Sequence, residues 1–316
     1  MLKEIEKGAT RQEILDIHNH VLALNNINIE IPANQIQVIM GLSGSGKSTL
    51  IRHINRLIEP SIGDVHVAGM NVLEMSDREL RDFRRFKVSM VFQNFALLPH
   101  RTILDNIGYG LSIQDVKKSE IDEKSKKWLD KVGLTGFEEY YPGQMSGGMR
   151  QRVGLARALA TDAEILLMDE PFSALDPLIR TDMQEILLTL QDELKKTIVF
   201  ITHDLNEGLR IGDKIAILRD GDIVQNGRPE EILLKPANNY VADFTKEINR
   251  GRILRVASIM RPHESIHEQS IDQNMTIEEA IVLLSDEKKE VATVSHDGRP
   301  VGSVSISDMI SALVKT

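Results

Sequence analysis

The eight residues Gly41-Leu42-Ser43-Gly44-Ser45-Gly46-Lys47-Ser48 constrain this chain more than any other feature. They match G-x-x-x-x-G-K-[ST] and lie between Gln35–Met40, predicted as a strand, and Thr49–Ile58, predicted as a helix with Leu50, Ile51, Ile54, Leu57 and Ile58 on one side. The glycines let the backbone curl so that successive N–H groups point at phosphate oxygens, helped by the positive end of the following helix. Lys47 is expected to reach the β and γ phosphates, and the Ser48 hydroxyl to ligate Mg²⁺, with Thr49 completing the nucleotide-binding set. A strand, loop and helix of this kind predict an α/β fold around a nucleotide site.

A second element supports that chemistry. Ile165-Leu-Leu-Met-Asp169-Glu170 is an apolar strand ending in two carboxylates. Asp169 would hold Mg²⁺ through water, while Glu170, pointing the other way, would polarise an attacking water. A third lies at Ser146-Gly147-Gly148-Met149, a Ser/Gly nest opening a helix rich in small and apolar residues. Alone it would read equally well as an ordinary N-cap. Thr197–Thr202 and Lys214–Leu218 are further near-continuous apolar runs between helices, the pattern of a parallel sheet covered on both faces.

Other segments are less committed. Thr10 and Glu13 are spaced as a capping box within a predicted helix over 4–17, and Ser76 and Glu79 as another. The alternation over Leu22–Ile31 predicts a half-buried strand, and Gly63–Gly69 a short one. Residues 103–142 read as helical and polar, their lysine runs as a solvated face. His18 and His20 read as turn chemistry, since no further metal ligands accompany them.

Composition narrows the classes. With 316 residues, 41% apolar and 27% charged, the chain has room for two domains and little sign of disorder. The net charge of −9 argues against a broad nucleic-acid footprint. Cysteine is absent, which removes thiolate metal sites and cysteine nucleophiles. No apolar run reaches the roughly 18–20 residues that span a bilayer, so a membrane role would be borrowed from a partner.

Phosphate loop, Gln93, Ser146-Gly147-Gly148, Met168-Asp169-Glu170, Ser173-Ala-Leu-Asp176 and Thr202-His203-Asp204 occur in that order. In this set, residues 15–245 resemble the nucleotide-binding subunit of an ATP-binding cassette (ABC) transporter. The resemblance implies a P-loop NTPase cassette with a mixed core sheet and a helical subdomain. It implies that Gln93 contacts Mg²⁺ and senses the γ phosphate, and that His203 joins Glu170 at the catalytic centre by holding the water. Ser146, Gly147 and Gly148 would close over ATP bound by another subunit, and Asp176 would communicate between the two sites. One copy of each motif then implies a head-to-tail homodimer sandwiching two ATP molecules. Phe83, Phe86, Phe92 and Phe95, with Leu97, Leu98 and Pro99, fall where such a family docks its permease, near 83–106.

The wording GGMRQRVGLARAL, with Met149 where the usual signature has Gln, is similar to importers of quaternary amines such as glycine betaine, proline betaine and choline. Ile39–Gly46, Asn55–Pro60, Phe95–His100 and Ser173–Arg180 agree with that subgroup. The resemblance implies a permease and a substrate-binding protein or domain as partners, and a peripheral place on the cytoplasmic face of the membrane. Choline, carnitine or proline are alternative solutes. A soluble ABC ATPase acting on DNA or ribosomes would instead carry a coiled-coil insertion or two cassettes. A nucleotide-gated regulator would not need Glu170 and His203 intact.

A charged stretch, Lys246–Arg255, reads as a linker dividing 1–250 from a small α/β unit at 253–316. The tail resembles a single CBS-type motif through Ser258–Met260, Thr276–Ile281, Val291–Val294, Gly298–Gly302 and Ser305–Asp308. The resemblance implies pairing with a second tail, with room for an adenine nucleotide. Finally, the family often stacks adenine on an upstream aromatic, and residues 1–82 contain none. Val21, Leu22, His18 or His20 would serve instead, so base selectivity is expected to be loose. GTP should be hydrolysed measurably in a nucleotide panel; strict ATP preference would refute this.

Overall fold

The computed structural model describes residues 4, 8–93, 96–262 and 267–314. They form two compact units, 1–204 with 218–223 and 205–217 with 224–316.

In the first unit, α1 (Arg11–His18) begins at the predicted capping box, with Thr10 accepting from the Glu13 backbone and Glu13 reaching back to the Thr10 N–H. β1 (Ile36–Met40) is buried throughout and runs into the phosphate loop, from which α2 (Lys47–Ile54) departs. β2 (His66–Val67) and β3 (Met70–Asn71) form a short antiparallel pair. The second predicted capping box, Ser76 with Glu79, starts α3 (Asp77–Phe86). Then come β4 (Val88–Val91), α4 (Ile103–Ile113), α5 (Lys118–Lys131), α6 (Gly147–Ala160), β5 (Ile165–Asp169), α7 (Pro177–Leu194) and β6 (Thr197–Thr202).

β4, β5, β6 and β1 lie side by side in that order, all parallel; the apolar runs predicted β1, β5 and β6, and β4 joins them at the edge. The register places Asp169 opposite Ile201 and Met40 opposite Thr202. Three strands therefore finish nearly level, and Gly41, Glu170 and His203 emerge together at their carboxyl ends, where open α/β sheets bind ligands. The helical middle is less polar inside than its lysine runs predict. Ile103, Ile107, Leu111, Leu129, Val132 and Val153 pack α4, α5 and α6 together.

The predicted strand over Leu22–Ile31 does not form. Its burial alternates from Asn26 onward, yet no ladder is made and Asn26 turns left-handed at φ 46°. Alternation reports which side faces the core, whereas a strand also needs a neighbour with free N–H and C=O groups.

After β6 come α8 (Leu205–Ile211), β7 (Lys214–Arg219), β8 (Asp222–Gly227), α9 (Pro229–Leu234), α10 (Asn239–Phe244) and α11 (Arg250–Ile253), which belong to the second unit except for 218–223. The division passes through β7 and β8. The stretch predicted as a linker is ordered here: α11 forms within it and Leu254 is fully buried. Further on, β9 (Ser270–Asp272), which the sequence did not announce, pairs parallel with β10 (Val291–His296). β11 (Arg299–Ser305) pairs antiparallel with β10, and α12 (Ile277–Asp286) and α13 (Ile306–Val314) cover them. Val256, Ile271, Ile277, Leu284, Val294 and Met309 are buried here, a core as modest as the segment's length predicts.

Close approach of backbone makes Gly41 obligatory. A Cβ on Gly41 would lie 2.1 Å from the Leu218 carbonyl oxygen, whereas one on Gly63 meets nothing within 4 Å. Gly41→Ala should lower stability by about 3 kcal/mol in denaturant titration, and Gly63→Ala, which bears only the cost of a left-handed backbone, by about 1 kcal/mol. Equal losses would show that the Leu218 contact yields.

Candidate nucleotide site

The site is built where the level strand ends meet the start of α2. Lys47 is buried, and its ammonium donates to the carbonyls of Gly41 at 2.8 Å and Leu42 at 3.0 Å. It also lies 3.8 Å from Glu170 Oε1. Burial pushes the Lys47 pKa down, and the charges of Glu170 and Asp169 oppose that shift. A buried ammonium so placed is a point charge awaiting anionic oxygen.

Asp169, nearly fully buried at the end of β5, accepts from Ser48 Oγ at 2.7 Å through one oxygen. Its other oxygen is 3.1 Å from the Arg52 guanidinium. Arg52 was missed in the sequence. It sits one helical turn after Ser48 on α2, so i, i+4 spacing from the phosphate loop is the signal that would have found it.

Glu170 adopts a left-handed backbone, φ 47°, uncommon for a non-glycine residue. Its N–H still extends the ladder to the Ile201 carbonyl, and its own carbonyl accepts from Ser173 Oγ at 3.0 Å. The turn aims the carboxylate between two partners, Lys47 and His203, whose Nδ1 lies 3.0 Å from Glu170 Oε2. The His203 ring is about half exposed, so the pair opens toward solvent. A carboxylate held between an ammonium and an imidazole can take a proton from water and pass it on.

Within the loop, Leu42, Ser43 and Gly44 are exposed, Gly46 and Thr49 are half-buried, and Ser45 is buried. Ser45 Oγ is buried without a hydrogen-bond partner among the described residues, a further polar group turned toward the loop. Ser48 Oγ and Asp169 Oδ1 form a pair of hard oxygen donors suited to Mg²⁺, which takes the rest of its shell from phosphates and water. Correspondingly, no cluster of three His, Asp or Glu ligands occurs among the described residues.

The remaining expected residues lie apart from this centre. Gln93 is exposed on the turn after β4, and no contact joins it to Ser48 or Asp169 among those described. Ser146 caps α6 by accepting from the Met149 N–H, and Asp176 caps α7 by accepting from the Ile179 N–H. These two ends meet, because a Cβ on Gly148 would lie 2.5 Å from Ile179 Cγ2. Gly147 beside it has open space around its Cα. Asp176 thus already spends one oxygen within its own turn.

Of the aromatic cluster, Phe83 is buried in the core and offers nothing to a partner, contrary to its expected place in a docking groove. Phe86 is 46% exposed, Phe92 is half-buried past the end of its strand, and Phe95 lies outside the described residues. The following segment is fastened by buried Asn106, which exchanges hydrogen bonds with both the N–H and C=O of Leu98. Val21 is exposed, and His20 is turned back on the His18 carbonyl.

A family model described as "ABC transporter" matches residues 24–173. The chain is 54% identical over 262 residues to the glycine betaine transport ATP-binding protein OpuAA of Bacillus subtilis (strain 168), covering 83% of this chain and 63% of that one. It is 46% identical over 316 residues to the glycine betaine/proline betaine transport system ATP-binding protein ProV of Escherichia coli (strain K12), covering 99% and 78%. Among solved structures, the dimeric post-hydrolysis state of the ATP-binding cassette MJ0796 bound to ADP and Pi matches with TM-score 0.61 and 36% identity, over 66% of this chain and 90% of that one. The fold is that of a P-loop ABC ATPase cassette with a mixed α/β sheet. Lys47, Asp169, Glu170 and His203 meet at its strand ends, and the likeness to ProV runs through nearly the whole sequence. On both grounds the chain belongs to the ABC transporter ATP-binding subunits of the betaine and quaternary amine importer type.

Proposed function

We propose that this chain hydrolyses ATP to drive a membrane importer for glycine betaine and related quaternary ammonium solutes. The convergence of Lys47, Asp169, Glu170 and His203 carries the enzymatic part of this reading. The names of its relatives support the solute class. Choline, carnitine and proline are the alternatives to separate by uptake assays with the co-purified complex.

In the mechanism, the loop N–H groups and Lys47 hold the β and γ phosphates, with the Lys47 ammonium moving from the Gly41 and Leu42 carbonyls to phosphate oxygen. Ser48 and Asp169 would hold Mg²⁺, which neutralises developing phosphate charge; Gln93 would join them by a loop movement. Water held by His203 attacks the γ phosphorus, its proton passes to Glu170, the bond to the β-phosphate oxygen breaks, and ADP leaves. Ser146, Gly147 and Gly148 of a second copy would close each site, with Asp176 beside them linking the two.

The permease would dock near 83–106, where Phe86, Leu97 and Leu98 are at least partly exposed. No helix among the described residues is long and apolar enough to cross a membrane. From the transport ATP-binding subunits it resembles we assign the chain a peripheral place on the cytoplasmic face, with a substrate-binding protein or domain completing the complex.

We divide function at about residue 250, giving 253–316 a CBS-like regulatory and pairing role. Val282, Ile310 and Val314, each at least half exposed on α12 and α13, are apolar surface that a second tail would cover. An adenine nucleotide is the ligand expected there.

Glu170→Gln should keep MgATP binding, lower turnover at least 100-fold and trap a closed dimer on size exclusion; rapid hydrolysis would remove Glu170 from its role. Deleting 253–316 should flatten the dependence of ATP-driven uptake on ionic strength. An unchanged salt response would leave the tail a pairing element without a sensing function.

A further inference from the structure

Arg11, in the first turn of α1, leaves its own helix to grip the segment that precedes β1. Its Nε donates to the Leu22 carbonyl at 2.6 Å and its Nη2 to the Ala23 carbonyl at 3.4 Å. Nη1 lies 3.7 Å from Asp220 Oδ1, but that carboxylate is 74% exposed, so the pair contributes little. The bonds to the carbonyls come from a side chain only 28% exposed and are charge-assisted.

What Arg11 holds is pressed against the phosphate loop. A Cβ on Gly46 would lie 2.6 Å from the Ala23 carbonyl oxygen, and one on Gly221 would lie 2.7 Å from it. Gly221 in turn donates to the Ser45 carbonyl at 3.1 Å and accepts from the Asn25 N–H at 2.9 Å. Asn25 closes the circuit through its side chain, which donates to Asp222 at 2.9 Å. Gly46 is the N-cap of α2, the residue that sets the direction of the helix N–H groups meant for phosphate. The path from Arg11 to the loop therefore has two steps, a pair of hydrogen bonds and a backbone contact with no side chain between.

We propose that Arg11 is a positioning residue for nucleotide binding: it holds Leu22 and Ala23 as a strap against Gly46, so that the phosphate loop keeps its binding shape in advance. This rests on the reading of Gly41–Ser48 as the nucleotide site. An ordered loop has less freedom to lose on binding, so the effect falls on affinity.

The test is titration of MgATP into the full chain. Arg11→Met keeps the aliphatic stem but removes every donor, and should raise the Kd about tenfold, about 1.4 kcal/mol, with turnover at saturating ATP within about twofold. Arg11→Lys, whose ammonium can still reach one carbonyl, should recover part of that loss. Amide exchange over residues 42–48 should quicken in Arg11→Lys, a readout that survives if Arg11→Met does not fold. A Kd unchanged in Arg11→Met, with or without a lower melting temperature, overturns the proposal, as does exchange in Arg11→Lys equal to that of the parent chain. Undiminished MgATP affinity in Lys47→Ala would instead overturn the nucleotide site itself.

Discussion

A buried ammonium sets the terms for this site. Lys47 is removed from water, and that position is tolerable only because two loop carbonyls and the nearby carboxylates of Glu170 and Asp169 face it. Those carbonyls are available because the loop curls, and the loop curls because Gly41 and Gly46 admit backbone where a side chain would collide. The carboxylates are available because β5 and β6 run parallel in a register that ends them together. Sheet, loop and charge are one arrangement: shifting the β5 register by one residue would turn Asp169 away from Ser48.

Much of this was legible in the sequence because each part has a local cause. Eight consecutive residues specify the loop, Thr10 with Glu13 and Ser76 with Glu79 specify helix starts, and the runs ending at Met40, Asp169 and Thr202 specify buried strands. What was not legible depends on partners distant in the chain. The alternation of Leu22–Ile31 is the pattern of a strand, but the segment meets a guanidinium and a glycine carbonyl in place of a ladder. β9 is three residues long and exists because β10 offers it an edge.

Site residues divide the same way. Lys47, Ser48, Asp169, Glu170 and His203 come together within one chain, while Ser146–Gly148 and Asp176 form a second cluster whose members touch each other through Ile179. A motif scan finds both clusters with equal ease, since spacing carries no information about which ones meet. Arg52 carries no signal of its own in the sequence, because arginine at the end of a helix has a sufficient local explanation in the helix dipole.

The left-handed backbone of Glu170 bears on how such a protein can be altered. A glutamate there carries a conformational penalty of about 1 kcal/mol or more that glycine would not. The same torsion aims its carboxylate between Lys47 and His203. Selection for thermal endurance alone would therefore favour an inert glycine at this position, and a stabilised descendant would have to be screened for turnover at every round.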